Sequence, residues 1–435
     1  MLVENNQSIN NKSMKKIQIA ILSVVALMAS HQVQAQYWTT PAPVTLPTIK
    51  SGNYNITSYG ASTGSSDNTT AIQNAINAVG AAGGGTVQIP SGTFLCGPLT
   101  MANGVNLNLA SGSTLKMLAY GVYPGGTSPK DFIYGSKLHD IEISGSGTID
   151  GQGAAWWTVD NATSGGIPRP KAMFAASTCT NVCVQGIKLV NPPNTHISFR
   201  NTCEKVTVQN ITISCPGSGA PNTDGVDISA NNVYMNSDNI SCGDDDIAMI
   251  GNNIDIENCT FGTGHGCSMG SYTTQGGSKI TVNNCTFKGT LNGMRLKSAR
   301  DRGGVVQYVA YNNLTMTSVQ HPVWIDSYYT TSDATDPRTV ASAPVTSTTP
   351  IWKHMKLQNW TVTGSSDAGT IYGLPEAHIS DITFNNVKVS ATTGMRLYYA
   401  DSMVFTNGSK VTVSSGNPVT IYAATVSGIS THTYP

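Results

Sequence analysis

The sequence predicts an all-β chain: a single-stranded, right-handed parallel β-helix with a short N-terminal capping helix. Three observations predict it. A two-part strand unit with a bend at its centre recurs along the chain, no hairpin turn signature separates the copies, and small polar residues stand where charges usually do. Only 11% of the 435 residues are charged, against about 25% in an average soluble protein, and Gly contributes 44. Lys plus Arg equals Asp plus Glu at 24 each. A neutral chain with no basic block is not built to hold nucleic acid or an anionic membrane, because those partners are bound through charge neutralisation. Long heptad helices are excluded by the same shortage of Glu and Lys.

The N-terminus reads as an export signal. Lys15 and Lys16 precede the apolar run Ile17 to Ala29, and His31-Gln-Val-Gln-Ala35 ends in a small-residue cleavage pattern. A run of thirteen residues is too short to cross a bilayer, which needs about 20 in a helix. The reading is therefore a signal peptide over 1–35, with Met1 or Met14 as the start, and one β-helix domain over 36–435. After cleavage the chain is expected outside the cytoplasm, extracellular or periplasmic, with no membrane attachment. Nine Cys fit an oxidising compartment but leave at least one thiol unpaired in a monomer.

The capping helix follows. Asp67 or Asn68 can cap a segment in which Ile72, Ala75, Ile76 and Val79 share one face, and Gly80 with Gly83 to Gly85 ends it. From about residue 180 the strand unit takes over, in the order apolar, any, apolar, any, Asn or Gly, apolar, any, apolar. It reads Val182-Cys-Val-Gln-Gly186-Ile-Lys-Leu189, Val206 to Ile213 around Asn210, Ile254 to Phe261 around Asn258, and Ile280 to Phe287 around Asn284. Three more copies centre on Asn313, Asn359 and Asn386. Successive centres are 24, 48, 26, 29, 46 and 27 residues apart, one unit or two of about 24 residues. Stacking each copy in parallel on the last aligns like positions about 4.8 Å apart. The Asn-x-Ser/Thr triplets at these centres match glycan acceptors, but their place at the bend favours an amide ladder bonded rung to rung. Cys259 and Cys285 are then expected to stack as small buried apolar groups.

The few charges are segregated. Between Val206 and Ser278 lie eight acids, among them Asp224, Asp227, Asp244, Asp245 and Asp246, and no Lys or Arg. Between Lys279 and Arg302 lie six bases against Asp301 alone. Asp224, Asp244, His265 and Arg295 follow one another at 20, 21 and 30 residues, each close to one turn, which predicts a stack on one face. Neighbours in a straight strand point to opposite faces, so a turn at Gly243 is expected to bring both Asp244 and Asp245 outward. Two carboxyls flanking a bond, one protonated and one ionised, are the machinery of glycoside hydrolysis. The competing readings are a Ca²⁺ site in the Asp trio, a turn anchor for Asp224, and solvated positions for His265, Arg295 and Lys297.

Asn222-Thr-Asp224-Gly-Val-Asp227, Gly243-Asp244-Asp245, Gly264-His265-Gly266 and Arg295-Leu-Lys297 resemble, in order, the four signature motifs of the polygalacturonases, glycoside hydrolase family 28. Tyr54 to Gly60 and Gly83 to Pro90 resemble the N-terminal cap of pectin-degrading β-helix proteins, so the likeness runs from roughly residue 50 to 400. It implies inverting hydrolysis of α-1,4-galacturonosyl bonds, endo or exo, by a monomer acting on an acidic polysaccharide, with no cofactor and no metal. It also implies Asp244 as general acid, Asp224 and Asp245 as the pair that activates water, and His265 as the residue that tunes the acid. Arg295 and Lys297 would bind substrate carboxylates, Asn222 would contact substrate, and Tyr329 would line the subsite, with Tyr328 as the alternative register. Many members carry a bonded Cys where this chain has Asp246. Cys242, paired with Cys259 or Cys267, is the candidate substitute, and the charge of Asp246 is expected to raise the pKa of the acid. A Ca²⁺-dependent lyase and a noncatalytic polysaccharide-binding solenoid are the alternatives.

Overall fold

The computed structural model describes residues 44–158, 168–329 and 336–434; the expected export signal lies outside them. The described strands pair in parallel, each with its counterpart one turn later, as a right-handed parallel β-helix requires. The inward positions stack in register. Val182, Val206, Val233, Ile254, Ile280, Val309, Met355, Ile382 and Met403 form one continuous file, all buried. Ring pairs such as Phe261 with Phe287 and Phe384 with Phe405, with centroids 4.7 and 4.3 Å apart, extend the same logic to aromatics.

The bends explain the Asn. Asn210, Asn258, Asn284, Asn313, Asn359 and Asn386 all adopt left-handed backbone with φ between 52 and 57°, a region that Asn tolerates better than most residues. The amides also bond between rungs: Asn258 donates to Asn236, Asn284 to Asn258, Asn359 to Asn313 and Asn386 to Asn359, at 2.6 to 2.9 Å. The expected ladder is present.

The two long intervals resolve differently. The 48-residue step hides a full turn, in which Ser237 takes the bend at φ 60° and Asp238 the next, normally apolar, place. Asp238 is buried and accepts from the Ile211 N–H, while burial pushes its carboxyl well up. The 46-residue step is a single turn, because Val305–Thr317 pairs directly with Ile351–Asp367. Between them the chain forms His321–Asp326, and the described residues 336–350 add no strand before Ile351. Stacked strands also begin well before residue 180, at Asn53–Asn55.

The helix Thr69–Ala81 buries Ile72, Ala75, Ile76 and Val79 as the periodicity predicts. The capping bond to Thr69 N–H comes from Asp67, while Asn68 turns inward to the Ser62 N–H and the Leu95 carbonyl. Among the described residues no helix is long and apolar enough to cross a membrane. All nine Cys are buried free thiols, so the expected bridge from Cys242 to Cys259 or Cys267 is absent. Cys242 instead approaches the Asp244 carbonyl at 3.3 Å and Asp246 Oδ1 at 3.6 Å.

Candidate active site

The site is built on four consecutive rungs whose strands start with Val226, Ile247, Cys267 and Asn292. Val226, Ile247, Cys267 and Met294 share one register position. Counting back two residues, Asp224, Asp245, His265 and Asn292 therefore share another. The predicted stack of Asp224, Asp244, His265 and Arg295 is thus corrected in two places. Asp244 sits one residue before the row, and Arg295 aligns with Ser268, Ala248 and Asp227. The separations of 20, 21 and 30 residues counted turns without fixing phase, and a long Arg side chain bridges the difference.

The turn at Gly243 does bring both carboxyls to the face. A Cβ on Gly243 would lie 2.2 Å from the Ala220 carbonyl oxygen, so only glycine lets this turn pack beneath the one before it. Thr223 fastens the two turns together, donating to Ala220 O at 2.6 Å and accepting from Gly243 N–H at 3.0 Å. Asp244 stays half-buried, and its Oδ1 accepts from the Asp245 N–H at 2.9 Å. His265 Nδ1 lies 2.9 Å from the same Oδ1, and Asn222 Nδ2 donates to Oδ2 at 3.4 Å. Asp245 is only 2% exposed and fully answered: Arg295 at 2.8 Å and Ser268 at 2.7 Å reach Oδ1, and Lys297 at 2.6 Å reaches Oδ2. The Tyr329 ring covers the two cations at 5.7 and 5.3 Å, whereas Tyr328 is buried with its hydroxyl donating to Gly373 O. Of the two registers, Tyr329 is the one at the site.

The protonation pattern departs from the expected one. Burial pushes Asp224 far above the carboxylate range, and the charges of Asp227, Asp244 and Asp245 add to it. Asp227 is raised too, mainly by burial, against a hydrogen bond from Thr195. Burial also works to raise Asp244, but hydrogen bonding and charge from His265, with the charge of Lys297, hold it below its ordinary value. Asp246 does not act on Asp244 as expected. Its carboxyl is completely buried, and burial drives its pKa well up, which disfavours the charge that was anticipated. Its Oδ2 accepts from the Gly266 N–H at 2.9 Å and so ties the His265 turn to the Asp turn. A Cβ on Gly264, whose φ is +138°, would lie 2.6 Å from that carboxyl, which explains the glycine before His265.

Sequence reasoning assigned no role to Asp227, Ser268, Thr223 or His196. Asp227 was visible in its motif, and its in-register place beneath Arg295 is the missing signal. His196 donates to the Asp224 carbonyl oxygen from both its backbone N–H and its Nδ1, each at 2.9 Å, and burial lowers its ring to about 4. A neutral imidazole therefore holds the turn that carries Asp224. Asp244, Asp245 and His265 also bring three ligand atoms within 4.8 Å of one another. Both oxygens of Asp245 already face cations, however, so a divalent ion here would meet Arg295 and Lys297 at close range. Hard cations take sites whose oxygens are free.

Clustered carboxyls of unlike protonation, cations beside them and an open face on a parallel β-helix define the class of a glycoside hydrolase. The family model for glycosyl hydrolases family 28 matches residues 80–414, and the chain belongs to that family. An endo-polygalacturonase of Pectobacterium carotovorum subsp. carotovorum is 34% identical over 300 residues, 61% of this chain and 73% of that one. An exopolygalacturonase of Platanus acerifolia is 32% identical over 296 residues, 63% and 75% of the two chains. The fold matches the exopolygalacturonase of Thermotoga maritima with a TM-score of 0.67 at 19% identity, over 91% of this chain and 96% of that one. The polygalacturonase of Erwinia carotovora matches at 0.59 and 24%, over 91% and 98%.

Proposed function

We propose that the protein hydrolyses α-1,4-galacturonosyl bonds of polygalacturonate in pectin, with inversion. The observation that carries this reading is the half-buried Asp244 carboxyl, held against His265 beside the buried Asp245 with its two cations. Asp244 delivers the proton to the leaving oxygen. Asp245, kept as an acceptor by Arg295, Lys297 and Ser268, activates water together with Asp224. Arg295 and Lys297 take the carboxylate of a galacturonate, Tyr329 lines its ring, and Asn222 meets substrate at the mouth of the site.

The resting proton sits on Asp224, where burial and neighbouring carboxylates favour it. A substrate carboxylate drawn onto Arg295 and Lys297 weakens the positive field that holds Asp244 low and expels water around it. The favoured seat of the shared proton then moves to Asp244. The cluster needs that one proton to act, and the raised carboxyls keep it until the pH exceeds neutral. The rate should fall as the pH rises further, and a rate still climbing at about pH 9 contradicts the assignment.

The test is the product. Polygalacturonate should yield new reducing ends with inverted anomeric configuration and without the ultraviolet absorbance of unsaturated ends. Absorbance abolished by EDTA would replace hydrolysis with the lyase reading. Residues 1–35 act as an export signal for a secreted protein on this reading, which a mature mass beginning near Gln36 in the exported fraction supports and an intact Met1 or Met14 start refutes.

A further inference from the structure

The face that carries the site continues toward the C-terminus. In register, Arg295 is followed by Trp324, Thr370 and Arg396, and in the adjacent outward row Lys297 is followed by Asp326, Tyr372 and Tyr398. Arg396 lies three rungs beyond Arg295, about 14 Å at the usual strand spacing, the length of a few sugar rings.

Trp324 belongs to neither hydrophobic cluster of the described residues and is half-buried. The His321 ring meets it at 4.9 Å and 60°, and Asp367 fixes His321 at Nδ1 from 2.8 Å. Arg396 is equally fixed: Nη2 donates to Thr370 Oγ1 at 3.0 Å, and the guanidinium lies 5.6 Å over the Tyr372 ring. Its nearest carboxylate among the described residues is Asp367 at 3.8 Å, already engaged with His321, and 43% of the Arg396 side chain remains exposed. An ion pair this long and this exposed contributes little to stability, so folding does not account for the arrangement. A guanidinium held in place with open donors, two rungs past an aromatic shelf, suits an acidic sugar. Asp326, between Lys297 and Tyr372 in the adjacent row, is pushed up by burial.

We propose that Trp324 and Arg396 form a distal subsite for the acidic polysaccharide. Trp324 is the shelf for a sugar ring, and Arg396 clamps a galacturonate carboxylate a few residues from the bond cleaved. The inference rests on the polygalacturonate reading above. Its test is binding, which does not need turnover: calorimetric titration of oligogalacturonides of increasing length into Asp244→Asn and into Asp244→Asn with Arg396→Gln. Affinity for Asp244→Asn should rise with length until the chain reaches Arg396. Arg396→Gln should weaken long oligomers about tenfold more than short ones, and Arg396→Lys should recover part of that difference. Trp324→Ala should flatten the same length dependence at one sugar fewer. Equal affinity of the two proteins at every length, or a loss independent of length, overturns the distal subsite and leaves the hydrolase reading standing. No affinity for any oligogalacturonide, with no turnover by the unsubstituted protein, overturns the substrate assignment itself and the subsite with it.

Discussion

Asp244→Asn is expected to lower kcat on polygalacturonate about 10³-fold, the range of a positioned general acid, while leaving the melting temperature nearly unchanged. The amide keeps the shape of the carboxyl and can still accept at the oxygen facing the Asp245 N–H, where the bond is 2.9 Å. What it cannot do is carry the transferable proton. Single-turnover kinetics beside a thermal melt separate the two effects, and turnover that survives the substitution removes Asp244 from the acid role. Asp224→Asn gives a useful contrast. Asp224 is already neutral at rest through burial and its acidic neighbours, so this change leaves the resting charge almost as it was and removes only the capacity to release the proton and accept one from water.

Lys297→Ala should damage both stability and catalysis. Lys297 is 6% exposed and its ammonium lies 2.6 Å from Asp245 Oδ2. Its removal leaves a nearly buried carboxylate with Arg295 and Ser268 alone, at a cost of about 3 kcal/mol. It also removes half of the cationic seat proposed for the substrate carboxylate, so kcat/KM should drop about a hundredfold, with most of the loss in KM. Urea unfolding and steady-state kinetics measure the two parts. An unchanged KM would show that the cation serves only Asp245.

The architecture was legible because a stacked fold writes its period into the chain. The Asn centres, the apolar positions around them and the capping helix were all visible, since each obeys a local rule of backbone conformation or burial. The hidden turn at Ser237 was not, because Ser and the buried Asp238 replace both marker residues of the unit, and a pattern search sees composition before conformation. Similarly, the 46-residue interval looked like two units until pairing showed one unit and an excursion. For the site, motif order brought Asp224, Asp244, Asp245, His265, Arg295, Lys297 and Tyr329 to one place. Phase was illegible: residue counts say how many turns separate two side chains, but only register says that Arg295 stands above Asp227. Protonation was illegible as well. Asp246 reads as a third negative charge in the sequence, whereas complete burial of its carboxyl disfavours that charge and leaves the residue as a strut.

The excursion between His321–Asp326 and Ile351–Asp367 marks where this chain can be lengthened. Extra residues there leave the solenoid and re-enter without changing the phase of any rung. The stretch from Asp224 to Arg295 has no such freedom within its strands and their leading turns. A single deleted residue ahead of Val226, Ile247, Cys267 or Met294 would turn every following side chain of that strand from groove to core. Variation in length should therefore collect in the loops away from these four rungs, which evolve as a reading frame while the rest of the helix evolves as a stack.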